Sequence, residues 1–213
     1  MSKIALENVF ADVQTAIVIV AHPDDETLWA GGTILLHPNI DWTVLSLCRK
    51  SDPDREPKFF NGLKQLGAKG VIADLDDSPD QKPLKKADIQ KTILNELGQT
   101  KFDIIFTHNP KGEYTRHLRH EEISEAVSGL WNEGKIESKK LLFFAYEDGG
   151  KKYLPRPRKD ADTTIDLPKN ILQKKKDIII NIYGFSPDSF EAMAVSNVEA
   201  FQLIIKTPKD TII

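Results

Sequence analysis

A single cysteine, Cys48, stands among 213 residues, which excludes an intrachain disulfide framework and any multi-cysteine zinc cage. No apolar run comes near the ~20 residues that span a bilayer. Neither sign of charge prevails: 29 Lys and Arg face 32 Asp and Glu, a formal net charge of −3. Such a balance offers no global field to gather nucleic acid or to coat an anionic membrane. The first twenty residues lack a basic start leading into an apolar stretch with a small-residue cleavage site, so the expected location is the cytoplasm. Internal repeats and low-complexity segments are also missing. What remains is 40% hydrophobic and 29% charged residues, the composition of a globular domain. At this length the whole chain, 1–213, is expected to be one domain, with a core over about 15–146 and a C-terminal extension over about 150–213.

Two signals alternate through that core. Continuous apolar, β-branched runs at Ala16–Val20, Trp42–Leu47, Val71–Leu75, Phe102–Thr107 and Leu141–Tyr146 predict strands buried on both faces. Between them, helices are predicted over Glu26–Leu36, Arg55–Leu66, Ala87–Leu97 and His120–Trp131, with Gly67 and Gly98 as stops. The alternation implies an α/β fold: a Rossmann-like, mostly parallel sheet of core order 3-2-1-4-5 with helices on both faces. Beyond it, Tyr153–Asp162 reads as an exposed connection, Thr163–Leu167 as a strand and Pro168–Ile182 as a helix with Pro168 in its first turn. Asn181–Asp188 reads as a loop and Ser196–Ile205 as a terminal helix. The lysine runs Lys139–Lys140 and Lys174–Lys176 read as solvated faces, Cys48 as a small packed thiol, and His37 as a residue at the first helix's C-terminus.

Ligands of open parallel sheets bind at the carboxyl ends of strands, where the strand order reverses. After the first strand a dinucleotide site would need a glycine-rich turn. The chain instead reads Ala21-His22-Pro23-Asp24-Asp25-Glu26, and its nearest glycines, Gly31 and Gly32, fall inside the predicted helix. One imidazole and three carboxylates within five residues suit a divalent metal, zinc first, with iron, manganese or cobalt as alternatives. Asp24 or Asp25 could instead simply cap the following helix. After the fourth strand, His117 and His120 stand at i, i+3 and so share a helix face. In the order 3-2-1-4-5 the two clusters meet over one crevice. Arg49, Arg55, Arg116 and Arg119 are candidates for its mouth, where guanidinium groups would favour a carboxylate or phosphate on the substrate. Tyr114 is a candidate for binding or polarising an amide. Asp76, Asp77 and Asp80 follow the third strand, where a carboxylate could bind sugar hydroxyls, and Trp29 and Trp131 read as packing.

The string AHPDDE after a buried strand, the TLWAGGTI that follows, Arg55 ahead of Leu66-Gly67, and the downstream HxxH together resemble the PIG-L/LmbE-like deacetylases. These are metal-dependent amidohydrolases that act on N-acetylglucosamine and related amino sugars. The resemblance implies that His22, Asp25 and His120 hold the metal and that Asp24 is the general base. It implies that His117 stabilises the oxyanion or protonates the leaving amine, and that Arg55 binds substrate. The chain departs from the family at Arg116-His117-Leu118-Arg119-His120, where Gly-His-Pro-Asp-His is common, so its substrate rim differs. The expected activity is hydrolysis of the acetamide of an N-acetylated amino sugar or a small conjugate of one. The rival readings are an amidase for another acyl-amine and a catalytically silent carbohydrate- or metal-binding module. A homo-oligomer is left open.

Overall fold

The computed structural model describes residues 9–206. Its strands are β1 (Thr15–Val20), β2 (Asp41–Cys48), β3 (Lys69–Leu75), β4 (Ile104–Thr107), β5 (Lys140–Phe144), β6 (Tyr146–Glu147), β7 (Arg156–Pro157), β8 (Thr163–Asp166) and β9 (Val198–Ile205). Its helices are α1 (Asp25–Leu36), α2 (Arg55–Leu66), α3 (Lys86–Glu96), α4 (Leu118–Asn132), α5 (Lys169–Asp177) and α6 (Phe190–Ala194). A seven-stranded sheet runs β3-β2-β1-β4-β5-β9-β8, so the expected order 3-2-1-4-5 holds. The first five strands are parallel, and β9 runs antiparallel to both β5 and β8.

Period-two alternation in β1 explains why helices cover both faces. Ile17 and Ile19 pack with Ile89 and Ile93 of α3 and Ile123 and Val127 of α4. Ala16, Val18 and Val20 pack with Trp29 of α1 and Phe59 and Leu63 of α2. A strand buried on both sides has no polar face to show, which is why it reads as a continuous apolar run. Gly67 ends α2 in the left-handed region at φ 76°, a conformation glycine adopts without strain. α3 stops without that device, with Leu97 extended at its end.

The C-terminal third departs from expectation in three places. Ser196–Ile205 is not a helix: Val198–Ile205 is strand β9, threaded between β5 and β8. Its pairing partners lie far away in the chain, and the ladder overrides a local pattern that suits a helical face. The helix after Pro168 is α-helical only to Asp177 and widens to a π-helix over Ile178–Ile182, which runs into the segment predicted as a loop from Asn181. The lysine runs are not simple solvated faces. Lys175 is fully buried and its Nζ lies 2.7 Å from Glu199 Oε1. Lys140 donates to the Val9 carbonyl.

Glu199 ties β9 to α1. Its carboxylate also accepts the Gly32 and Thr33 amides at 2.8 and 2.7 Å and the Thr33 hydroxyl at 2.6 Å. That approach needs glycine, since a Cβ on Gly32 would sit 2.4 Å from Leu167 Cδ2 and 3.0 Å from Glu199 Oε1. Breaking a buried ion pair from one side strands the other charge and costs ~3–5 kcal/mol. Lys175→Met should therefore lower unfolding free energy in urea by about that amount, whereas Lys174→Met, at an exposed position, should barely move the midpoint. Equal effects would show that burial of the pair carries no weight.

Candidate functional site

Because β1 and β4 are neighbours, the turn that follows β1 and the loop that follows β4 open over the same carboxyl edge. Together with the segment after β3 they enclose a crevice of about 460 Å³ lined by His22, Asp24, Asp25, Asp77, Tyr114 and His117 among others. His120 lies beneath it, fully buried.

At the centre of the cluster is the buried Asp25 carboxylate, at the first turn of α1. Its Oδ1 accepts the Trp29 indole N–H at 3.1 Å and its Oδ2 accepts the His22 amide at 2.9 Å. The same Oδ2 lies 3.2 Å from His22 Nδ1, 3.4 Å from His120 Nε2 and 3.5 Å from His108 Nε2. Burial alone would raise this carboxyl, but His120 and His108 hold it well below the usual carboxylate range. Candidate ligand atoms of His22, His117 and His120 lie within 4.8 Å of one another, and so do those of Asp25, His108 and His120.

Hydrogen bonding sorts these nitrogens. His108 is spent: Nε2 accepts the Ala21 amide at 2.9 Å and Nδ1 faces Glu113 Oε2 at 3.0 Å. His120 commits only Nδ1, to Glu113 Oε2 at 2.6 Å, and its buried Nε2 has no hydrogen-bond partner. His117 Nδ1 is buried and unpartnered as well. Against the lowering effect of burial, Asp25 and Glu113 hold the His120 ring up at about 10, so the cluster is built to receive positive charge. An unpartnered imidazole nitrogen beside a converging carboxylate oxygen is a donor set that fits a divalent cation. The structure thus brings His22, Asp25 and His120 together.

One carboxylate in this arrangement, Glu113, escapes sequence reasoning, and another, Asp77, takes a different place from the sugar-facing one expected of it. Glu113 is buried against His108 and His120 and is held down at about 2, the cost of its burial outweighed by those two rings. Asp77 places Oδ1 3.1 Å from His22 Nε2 and Oδ2 2.7 Å from Arg49 Nη2. Glu113 sets the orientation of His120 from behind, as outer carboxylates do at metal-binding imidazoles, while Asp77 faces His22 from the crevice. The only signal for Glu113 was an acidic residue in the same loop as the HxxH. Of Asp76, Asp77 and Asp80, Asp77 alone lines the crevice, and it faces an imidazole.

Asp24 occupies the helix N-cap position, yet its side chain makes no capping hydrogen bond. Its backbone sits at φ 117°, a region that L-residues rarely adopt. The carboxylate points instead to Arg55, with Oδ2 3.3 Å from Nη1. Burial, then the neighbouring Asp25 charge, raises the Asp24 carboxyl well above its usual range. Tyr114 stands edge-on to His117 and His120, its ring 5.9 and 5.6 Å from theirs. Burial, then His120 and His22, push the His117 ring down to about 3, so it is uncharged at neutral pH.

Contrary to the expectation from sequence, the four arginines do not line the mouth together. Arg119 is fully buried and pairs with Glu122, and Arg116 points outward in a two-pronged bond to Glu121. Only Arg49 and Arg55 reach the crevice, against the five carboxylates of Asp24, Asp25, Asp52, Asp77 and Glu191. Trp29 is core, with its indole serving Asp25, and Trp131 bonds Ser138.

Comparison with known proteins places this geometry in context. Over 127 residues the chain is 24% identical to an uncharacterized protein of Acanthamoeba polyphaga mimivirus, a match covering 52% of this chain and 55% of that one. The chain therefore spans about half the length of that curated relative. The N,N'-diacetylchitobiose deacetylase from Pyrococcus horikoshii superposes with a TM-score of 0.70 at 16% identity, covering 94% of this chain and 87% of that one. GalB, the 4-carboxy-2-hydroxymuconate hydratase from Pseudomonas putida, superposes at 0.63 and 15% identity, covering 94% and 100%. Identities this low establish a shared fold. The family model described as GlcNAc-PI de-N-acetylase matches residues 17–131, more than half of the chain and both halves of the site, and the chain belongs to this PIG-L family.

Proposed function

We propose that the protein is a metal-dependent N-deacetylase that hydrolyses the acetamide of an N-acetylated amino sugar or a small conjugate of one. The observation that carries the reading is the division of labour between adjacent aspartates. Asp25 converges with His22 and His120, while Asp24, turned away by its backbone, keeps a carboxylate on the crevice beside them. A binding module would need the first arrangement and not the second. Family membership supports the same chemistry.

His22, Asp25 and His120 would hold the cation, and their mixed nitrogen and oxygen donors suit zinc. When bound, such a cation supplies Lewis acidity, polarising an amide carbonyl and lowering the pKa of water from ~15.7 towards ~7. Asp24 accepts the proton of the water that attacks the acetamide carbon, and Arg55 steadies its carboxylate. An uncharged His117 donates a hydrogen bond to the carbonyl oxygen as it gains negative charge. The C–N bond then breaks, and the proton collected by Asp24 passes by way of His117 to the departing amine. Acetate and the amine are the products. Tyr114 forms the apolar wall against which the acetyl group and the sugar are oriented, and the remaining Arg55 donors face the substrate.

Release of acetate from N-acetylglucosamine and its glycosides by the zinc-loaded protein tests the reading directly. No acetate from any of them, with metal shown to be bound, would favour the silent module. Asp24→Asn should keep the metal, measured by elemental analysis, while turnover falls ~10²–10⁴-fold. Asp25→Ala should lose both together. An Asp24→Asn protein working at close to the wild-type rate would refute the base assignment.

Glu113 predicts a separable effect. Glu113→Gln keeps the shape but weakens the support of His120, so metal affinity in a competitive chelator titration should drop ~10–100-fold. Unchanged affinity would mean that Glu113 only fills space.

A further inference from the structure

Across the wall formed by Tyr114 and Phe190 lies a second cavity of about 440 Å³, which shares those two rings with the metal crevice. Tyr153 and Leu154 add to its apolar lining, and the exposed Lys151 and Lys152 add charge to it. The Tyr153 ring is fixed from both ends: its hydroxyl bonds Glu147 Oε1 at 3.1 Å, and the Arg156 guanidinium lies 3.8 Å over its face. Leu154 and Phe190 are exposed although both are large and apolar. Asp148, the acid in this cavity, is consumed by the Thr115 amide and hydroxyl at 2.8 and 2.6 Å and by the Gly150 amide at 3.0 Å. Lys151 and Lys152 enter no ion pair among the described residues.

Charge is therefore segregated between two adjoining cavities. The metal crevice has a surplus of carboxylates, and its arginines are paired with Asp77 and Asp24. The second cavity offers apolar walls and unpaired ammonium groups. We propose that it is a subsite for the aglycone of the substrate: an aryl or short alkyl group ending in a carboxylate or phosphate. The inference rests on the deacetylase reading for what occupies the crevice. Apolar contact with Tyr153, Leu154 and the outer face of Phe190 would hold the body of the group. Lys151 and Lys152 would meet its anionic end.

Three substrates test it with the zinc-loaded protein: N-acetylglucosamine, its phenyl β-glycoside and its 4-carboxyphenyl β-glycoside. kcat/KM should rise along that series, by about tenfold or more overall, the discrimination an apolar pocket commonly gives. Leu154→Ala should remove the gain due to the ring. A Lys151→Gln, Lys152→Gln double variant should remove the gain due to the carboxylate and its sensitivity to salt. Both variants should leave turnover of N-acetylglucosamine unchanged, and both alter exposed side chains. Equal kcat/KM for all three substrates, or gains that survive both variants, would overturn the subsite.

Binding of 4-carboxyphenyl β-glucoside, which has no acetamide, reads the cavity independently by saturation-transfer NMR. Binding that weakens in the variants while no acetamide is cleaved would retire the deacetylase reading and keep the cavity as an anion-tipped aryl site. Binding that ignores both variants would retire the cavity.

Discussion

One carboxylate oxygen, Asp25 Oδ2, organises this protein. A buried carboxylate is costly unless its charge is met, and here it is met on every side. The N-terminus of α1, the His22 amide and three imidazoles converge on it. His22 and the α1 N-terminus belong to the same turn as Asp25, but His108 and His120 come from beyond β4, and they reach it because β1 and β4 lie side by side. Glu113 then repeats the arrangement one layer out, facing His108 and His120 from behind. The result is an alternation of carboxylate, imidazole and carboxylate, in which each imidazole is turned by the anion it does not share with the crevice. His120 keeps one nitrogen open for this reason, and His108 keeps none.

What could be read in the sequence follows from the range of the interaction. Parallel strands buried on both faces announce themselves as short β-branched runs, so β1 to β5 and their order were legible. That the turn holding His22, Asp24 and Asp25 would meet the His117 and His120 pair was legible too, because strand ends flanking a reversal point lie side by side. Singling out Asp25 and His120 among them rested on the family resemblance. β9 was not, since its conformation is set by ladders to β5 and β8 that no local pattern reveals. Lys175 failed for the same reason: a lysine in a run of three reads as solvated until Glu199 is brought to it. The arginines failed in the opposite sense. Arg116 stands just before the HxxH and Arg119 within it, but Arg116, ahead of α4, turns outward to Glu121, and Arg119, in the first turn of α4, turns inward to Glu122. Glu113 needed the third dimension altogether, and so did the choice of Asp77 from among Asp76, Asp77 and Asp80.

The fold leaves the reaction open, since a hydratase and a deacetylase both superpose on it. What narrows the chemistry is the site and the way its charges are distributed. Carboxylates crowd the crevice, and the arginines that reach it are held by them. An anionic substrate would be repelled by that floor unless its charge lay elsewhere. The lysines beyond the Tyr114–Phe190 wall are where the structure offers it a place.

The neighbouring aspartates show how backbone conformation separates two roles. In a regular helix, consecutive side chains diverge by about 100°, which alone would leave both carboxylates near the same end of α1. Asp24 is displaced further by its positive φ, a conformation that costs of order 1–3 kcal/mol in a residue other than glycine. That cost is not recovered by capping, because the side chain forms no cap. It is offset in part by main-chain bonds, as the Asp24 carbonyl accepts the Thr27 and Leu28 amides and its own amide donates to Glu26. Glu26 is in turn bound by Tyr183, which lies beyond the family-matched segment, so the C-terminal extension helps to hold the strained turn in place. With Asp24 held this way, its carboxylate meets Arg55 across the crevice while Asp25 keeps to the histidines. On the proposed deacetylase reading, one anion is left for a cation and the other for a proton.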